Sequence, residues 1–136
     1  MFLPLLSEKQ KYLFLEFAFA MASADNVIAI EEHQTIDAYR AEMELGTTEI
    51  PSQRPIDDIL LDIKEISDPK ERKIFIFEIL GLVLSDGEYD TSEKEIIKKA
   101  LQYFDLGMEL ENKCIELIQT YLQIQQEINA LILNKE

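Results

Sequence analysis

A chain of 136 residues with 13 basic and 27 acidic side chains carries a formal charge of −14, a field that repels the backbone of nucleic acid and the surface of an anionic bilayer. The same field attracts metal cations or a basic protein surface, although a soluble acidic cytoplasmic protein needs neither. With 47% of its residues apolar the chain can bury one core in a single domain over 1–136, and the lone Cys114 has no partner for an intrachain disulfide, which points to a reducing compartment.

Residues 1–6 lack a basic start and are too short for a signal peptide. The apolar runs at 13–24 and 74–84 are interrupted by Glu16 and Glu78 and fall short of the roughly 20 residues that span a bilayer, so no membrane insertion is expected. Ser7 and Gln10 have the form of a capping box, starting helix one near residue 8. That helix is apolar on almost every face from Tyr12 to Ala22, which implies burial all round, and it stops at Asp25-Asn26. Helix two begins near Ile30, carries Ile36, Tyr39, Met43 and Leu45, and stops at Gly46. Residues 47–55, with Pro51 and Pro55, form a linker. Helix three follows from about Ile56 to Ile66, its isoleucines and Leu60 on one face. Asp68-Pro69-Lys70-Glu71 combines a capping box with a proline at the first helical position and opens helix four, apolar from Ile74 to Leu84 and ending at Asp86-Gly87. Asp90 to Glu93 supply caps for helix five, which carries Ile96, Ile97, Ala100, Leu101 and Phe104 and leads to Leu106 and Gly107.

Helix six, from about Met108 to Asn134, shows the most regular pattern: Leu110, Cys114, Leu117, Tyr121, Ile124, Ile128 and Leu131 alternate in steps of four and three. This heptad seam fits a helix lying along the core of its own domain. Its last two turns have no counterpart in helix three, and there dimerisation through Ile128, Leu131, Ile132 and Leu133 is the alternative.

At an offset of 61 residues, Phe14 falls on Phe75, Asp25 on Asp86, Glu32 on Glu93, Ile36 on Ile97, Leu45 on Leu106 and Gly46 on Gly107. The matches lie on turn, cap and core positions without a gap. An all-α fold of about six helices is therefore expected, built from two three-helix repeats over about 8–67 and 69–128, with the last helix running on to about 134.

The turns between repeated helices are the chemical candidates. Asp86, Glu88, Asp90 and Ser92 place oxygens at alternate positions, with Glu93 next, a pattern suited to a hard cation such as calcium. It is not an EF-hand, since Gly87 stands second rather than sixth and Glu93 eighth rather than twelfth. Helix caps and a tight turn explain the same residues without any ion. The first turn offers Asp25, Glu31 and Glu32 among apolar residues and is the poorer site. His33 is the only histidine, which excludes multi-histidine metal signatures, and the chain has no phosphate-loop motif. Glu16 and Glu78 could serve as acid or base groups if buried, but the ordinary fate of such residues is to point outward.

An apolar helix ending in Ala or Ser, Asp, then Gly or Asn, a short loop, and Glu in the next helix, all duplicated, resembles the TerB-like domain of tellurite-resistance proteins. The likeness covers about residues 8–128. It implies an all-helical duplicated domain, a bacterial cytoplasmic or inner-membrane-associated stress setting, and metal-binding motif residues that fall here on Asp25, Glu32, Asp86, Gly87 and Glu93; Asn26 replaces the usual glycine. The expected role is a non-catalytic interaction or cation-sensing module with a protein partner. A divalent-cation binder acting alone is the alternative, and a small hydrolytic or redox enzyme is the third.

Overall fold

The computed structural model describes residues 2–22, 54–85 and 89–133. Among them a 3-10 turn at Leu3–Leu5 precedes α1 (Glu8–Ala22), α2 (Ile56–Ile66), α3 (Pro69–Leu84), α4 (Thr91–Tyr103) and α5 (Glu109–Leu133), with no strand. The expected helix two and most of the linker lie outside the described residues. These five helices are thus the expected helices one and three to six.

The starts are fixed by side chains that satisfy first-turn amides. Ser7 N–H donates to Gln10 Oε1 at 2.8 Å and Gln10 N–H to Ser7 Oγ at 3.2 Å, the reciprocal box the sequence implies. Asp68 and Glu71 repeat it at 2.9 and 2.8 Å, with Pro69 at the first position of α3. Gln10 is also buried, because its Nε2 donates to Ile66 O at 3.0 Å and to Ser67 Oγ at 3.2 Å. The start of α1 is thereby tied to the end of α2.

The end of α4 departs from expectation. Asp105, at φ 58°, takes the left-handed conformation, while Leu106 N–H donates to Leu101 O at 2.9 Å and Asp105 N–H to Gln102 O at 3.3 Å. This is a Schellman closure two residues before Gly107, with Asp tolerating the position because its short polar side chain costs less there than most. Arg72 joins this end to that of α2, donating to Phe104 O at 3.4 Å and to Lys64 O at 2.8 Å.

The two helices that are apolar all round, α1 and α3, pack against each other, and the rings of Phe14 and Phe75 stack at 6.1 Å and 27°. On this pair rest α2, packed on α1, and α4 and α5, packed on α3; α2 also meets α4. Phe14, Phe17, Leu60, Ile63, Phe75, Ile79, Ile97 and Leu101 are fully buried, each contributing on the order of 1.5–3 kcal/mol by leaving water. Leu3 and Leu6 join the same core, and Phe2 meets Phe77 edge-on at 5.6 Å. No helix among the described residues is long and apolar enough to cross a membrane.

Candidate functional site

At the corner between α3 and α4 the structure describes Ser85, Tyr89 and Asp90 onward, whereas Asp86, Gly87 and Glu88 lie outside the described residues, as do Asp25, Glu31, Glu32 and His33. Ser85 closes α3, its hydroxyl donating to Leu82 O at 2.6 Å. Asp90 is the N-cap of α4: its Oδ1 accepts from Glu93 N–H at 2.9 Å, and Glu93 Oε1 accepts from Asp90 N–H at 3.1 Å. Two of the candidate cation ligands thus hold a capping box, and Glu93 is buried while doing so. Among the described residues no three carboxylate, cysteine or histidine groups come together as a metal site.

Tyr89 bridges this corner to α5. Its hydroxyl donates to Glu111 Oε1 at 2.6 Å, and Lys94 Nζ sits 5.5 Å from the centre of its ring. Burial pushes the phenol well above the usual tyrosine range, and the bond to Glu111 and the charges of Glu111 and Glu93 push it further. It stays a neutral donor.

Glu16 and Glu78 are buried rather than turned outward. Each has a partner that makes this tolerable. Arg54 reaches across from the start of α2, with Nε at 2.8 Å from Glu16 Oε2, Nη2 at 3.2 Å from Glu16 Oε1 and Nη1 at 2.8 Å from Asp62 Oδ2, and these carboxylates raise its guanidinium pKa further. Glu78 Oε1 accepts the N–H of Phe2 at 2.7 Å and holds the N-terminal turn against α3. Both carboxylates anchor chain segments. Cys114 is buried, and burial raises its thiol, which disfavours the nucleophilic thiolate.

The feature that sequence reasoning misplaced is on α5. Its core contacts follow Cys114 and Ile118, both buried, with Leu110, Ile115 and Leu122 partly buried beside them. The expected seam turns away from that core beyond Cys114: Leu117, Tyr121, Ile124 and Ile128 are about half exposed and Leu131 is 80% exposed. The two rows lie roughly 100° apart around the helix, since each residue advances that far. Both were visible, because Leu110, Cys114, Ile118 and Leu122 form an apolar row of their own. The charge pattern carries a second signal. From 117 to 133 the chain has a single charged residue, Glu127, in a protein of net charge −14. Among the described residues, polar contacts there stay within the helix: Thr120 Oγ1 donates to Glu116 O at 2.8 Å and Gln125 Nε2 to Tyr121 OH at 3.2 Å. Beside the stripe, an open groove of about 470 Å³ runs between Leu84 and Leu122, rimmed by Gln119, Gln123 and Gln126.

Among the described residues the helical fold and this face define no more than a class, an all-helical arrangement with an exposed apolar helix face. Compared with known proteins, the chain matches no family model, no curated protein and no solved structure.

Proposed function

We propose that this chain is a non-catalytic, TerB-like interaction module that engages a protein through the free face of α5, in the cytoplasm of a bacterium responding to stress or metals. The family and its setting rest on the resemblance of the repeated turn motifs. The interaction role rests on one observation: an apolar stripe from Leu117 to Leu131, about half to four-fifths exposed, larger than the scattered apolar residues of an ordinary surface. A duplicated architecture is supported by two features of the packing. Phe14 and Phe75, one repeat apart, stack on each other, and α1 pairs with α2 as α3 pairs with α5. The cation-sensing form of the reading keeps Asp25, Glu32, Asp86 and Glu88, while Asp90 and Glu93 serve as caps. The charge of the chain argues against nucleic acid as the partner.

The test is whether the stripe is surface in the folded chain. Ile128→Asp and Tyr121→Ser should retain the full helical circular dichroism and a cooperative melt. Loss of helix in both variants would show that the stripe belongs to the chain's own core and would end this reading.

A further inference from the structure

We infer that the partner on the α5 stripe is a second copy of this chain, docked antiparallel along the helix. The inference rests on the stripe being a docking face, and it adds what covers it. Charge is the first argument. Two copies at −14 each repel one another over most of their surfaces, and the segment 117–133, with Glu127 as its one charge, is where contact brings the fewest like charges together.

Spacing is the second argument. Steps of four and three from Leu117 through Tyr121, Ile124 and Ile128 to Leu131 keep one face of a helix turned toward a second helix that coils gently around it. A contact by one patch on both copies is closed and two-fold. Area is the third. The stripe together with Ile132, 70% exposed, offers surface on the order of the ~800 Å² per partner of a standard stable interface.

Direction follows from where the rest of the molecule sits. The folded body meets α5 through Cys114, Ile118 and Leu122, in the first half of a helix that ends at Leu133. A parallel pair would set two acidic bodies side by side, whereas an antiparallel pair places them at opposite ends of the contact. Leu117 of one copy then lies near Leu131 of the other, with Ile124 near the middle. Other occupants fit the stripe less well. An anionic bilayer attracts lysine and arginine, of which 117–133 has none, and a basic protein surface would find one carboxylate there.

Sedimentation equilibrium of the full chain decides it. At tens of micromolar the wild type should sediment at twice 15.8 kDa, and Ile128→Asp should raise the concentration of half-dissociation on the order of a hundredfold or more, with helix content unchanged. Under mild oxidation and in a Cys114→Ser background, Leu117→Cys mixed with Leu131→Cys should form the mixed disulfide, and either variant alone should not cross-link readily. A wild-type monomer throughout this range would overturn the second copy while leaving the docking face standing if Ile128→Asp is folded. Binding of that monomer to phosphatidylcholine vesicles would assign the stripe to lipid instead. A fast homodisulfide of Leu131→Cys would overturn the antiparallel direction.

Discussion

In α2 the apolar residues Ile59, Leu60 and Ile63 are exposed by 1% or less, whereas in α5 Leu117, Tyr121, Ile124 and Ile128, at comparable helical spacing, remain about half exposed. The difference lies in the neighbours. α2 is held between α1 and α4, and polar contacts secure it: Arg54 to Glu16, Arg72 to Lys64 O, and Lys99 Nζ to Asp57 Oδ1 at 3.0 Å. α5 rests on α3 along one row, reaches Tyr89 through Glu111, and thereafter bonds only to itself among the described residues. Periodicity therefore reports that a helix has an apolar stripe and says nothing of which surface the stripe meets.

The largest effect separates the two stripes directly. Leu60→Ala should cost about 2–5 kcal/mol in urea unfolding because its site is close-packed, while Ile124→Ala, measured at a concentration low enough to dissociate copies, should fall within about 0.5 kcal/mol of wild type. Equal losses would erase the distinction between α2 and α5. A smaller effect belongs to the corner before α4. Asp90→Ala should lose about 0.5–2 kcal/mol as a cap is removed, with and without millimolar calcium. If calcium instead raises the wild-type melting temperature, and Asp86→Asn with Glu88→Gln removes the rise while Asp25→Asn with Glu32→Gln keeps it, the second turn is a cation site.

The smallest effect is a pH dependence at the Tyr89–Glu111 tie from this corner to α5. Folding raises the Tyr89 pKa, so the group binds its proton more tightly in the native state. Its contribution is fully present below the unfolded tyrosine value of about 10 and is lost as the pH climbs above that value toward the folded one. Tyr89→Phe should therefore flatten the alkaline fall of the melting temperature above about pH 10. An unchanged slope would contradict the burial of the phenol and its bond to Glu111.

Local chemistry made the helix starts legible. Ser7 with Gln10, Asp68 with Glu71, and Pro69 act within a few residues of themselves, and each does in the structure what its spacing implies. The burial of α1 from Leu13 and of α3 from Ile74 was legible from their apolar runs, although Tyr12 stays 40% exposed. Long-range pairing was not. Nothing near Glu16 announces Arg54, 38 residues away, and nothing near Glu78 announces the amide of Phe2, 76 residues away. The stop of α4 was misread because Gly107 is the usual left-handed residue, whereas Asp105 takes that conformation. In the candidate site, Asp90 and Glu93 were legible both as caps and as ligands, and the structure uses them as caps. The α5 seam is legible as a row but not in its direction, since a row of apolar residues carries no label for inside or outside; the near absence of charge from 117 to 133 is the signal that distinguishes it.

The claim that α5 presents a free face which a second copy covers is tested most directly by amide hydrogen exchange read at two protein concentrations. Raising the chain from about 1 to about 100 µM should slow exchange across residues 117–133 and leave the α2 segment around Ile59 to Ile63 unchanged, because mass action protects only what association covers. Exchange in 117–133 that is as slow as in α2 at both concentrations would contradict the account and return the stripe to the core.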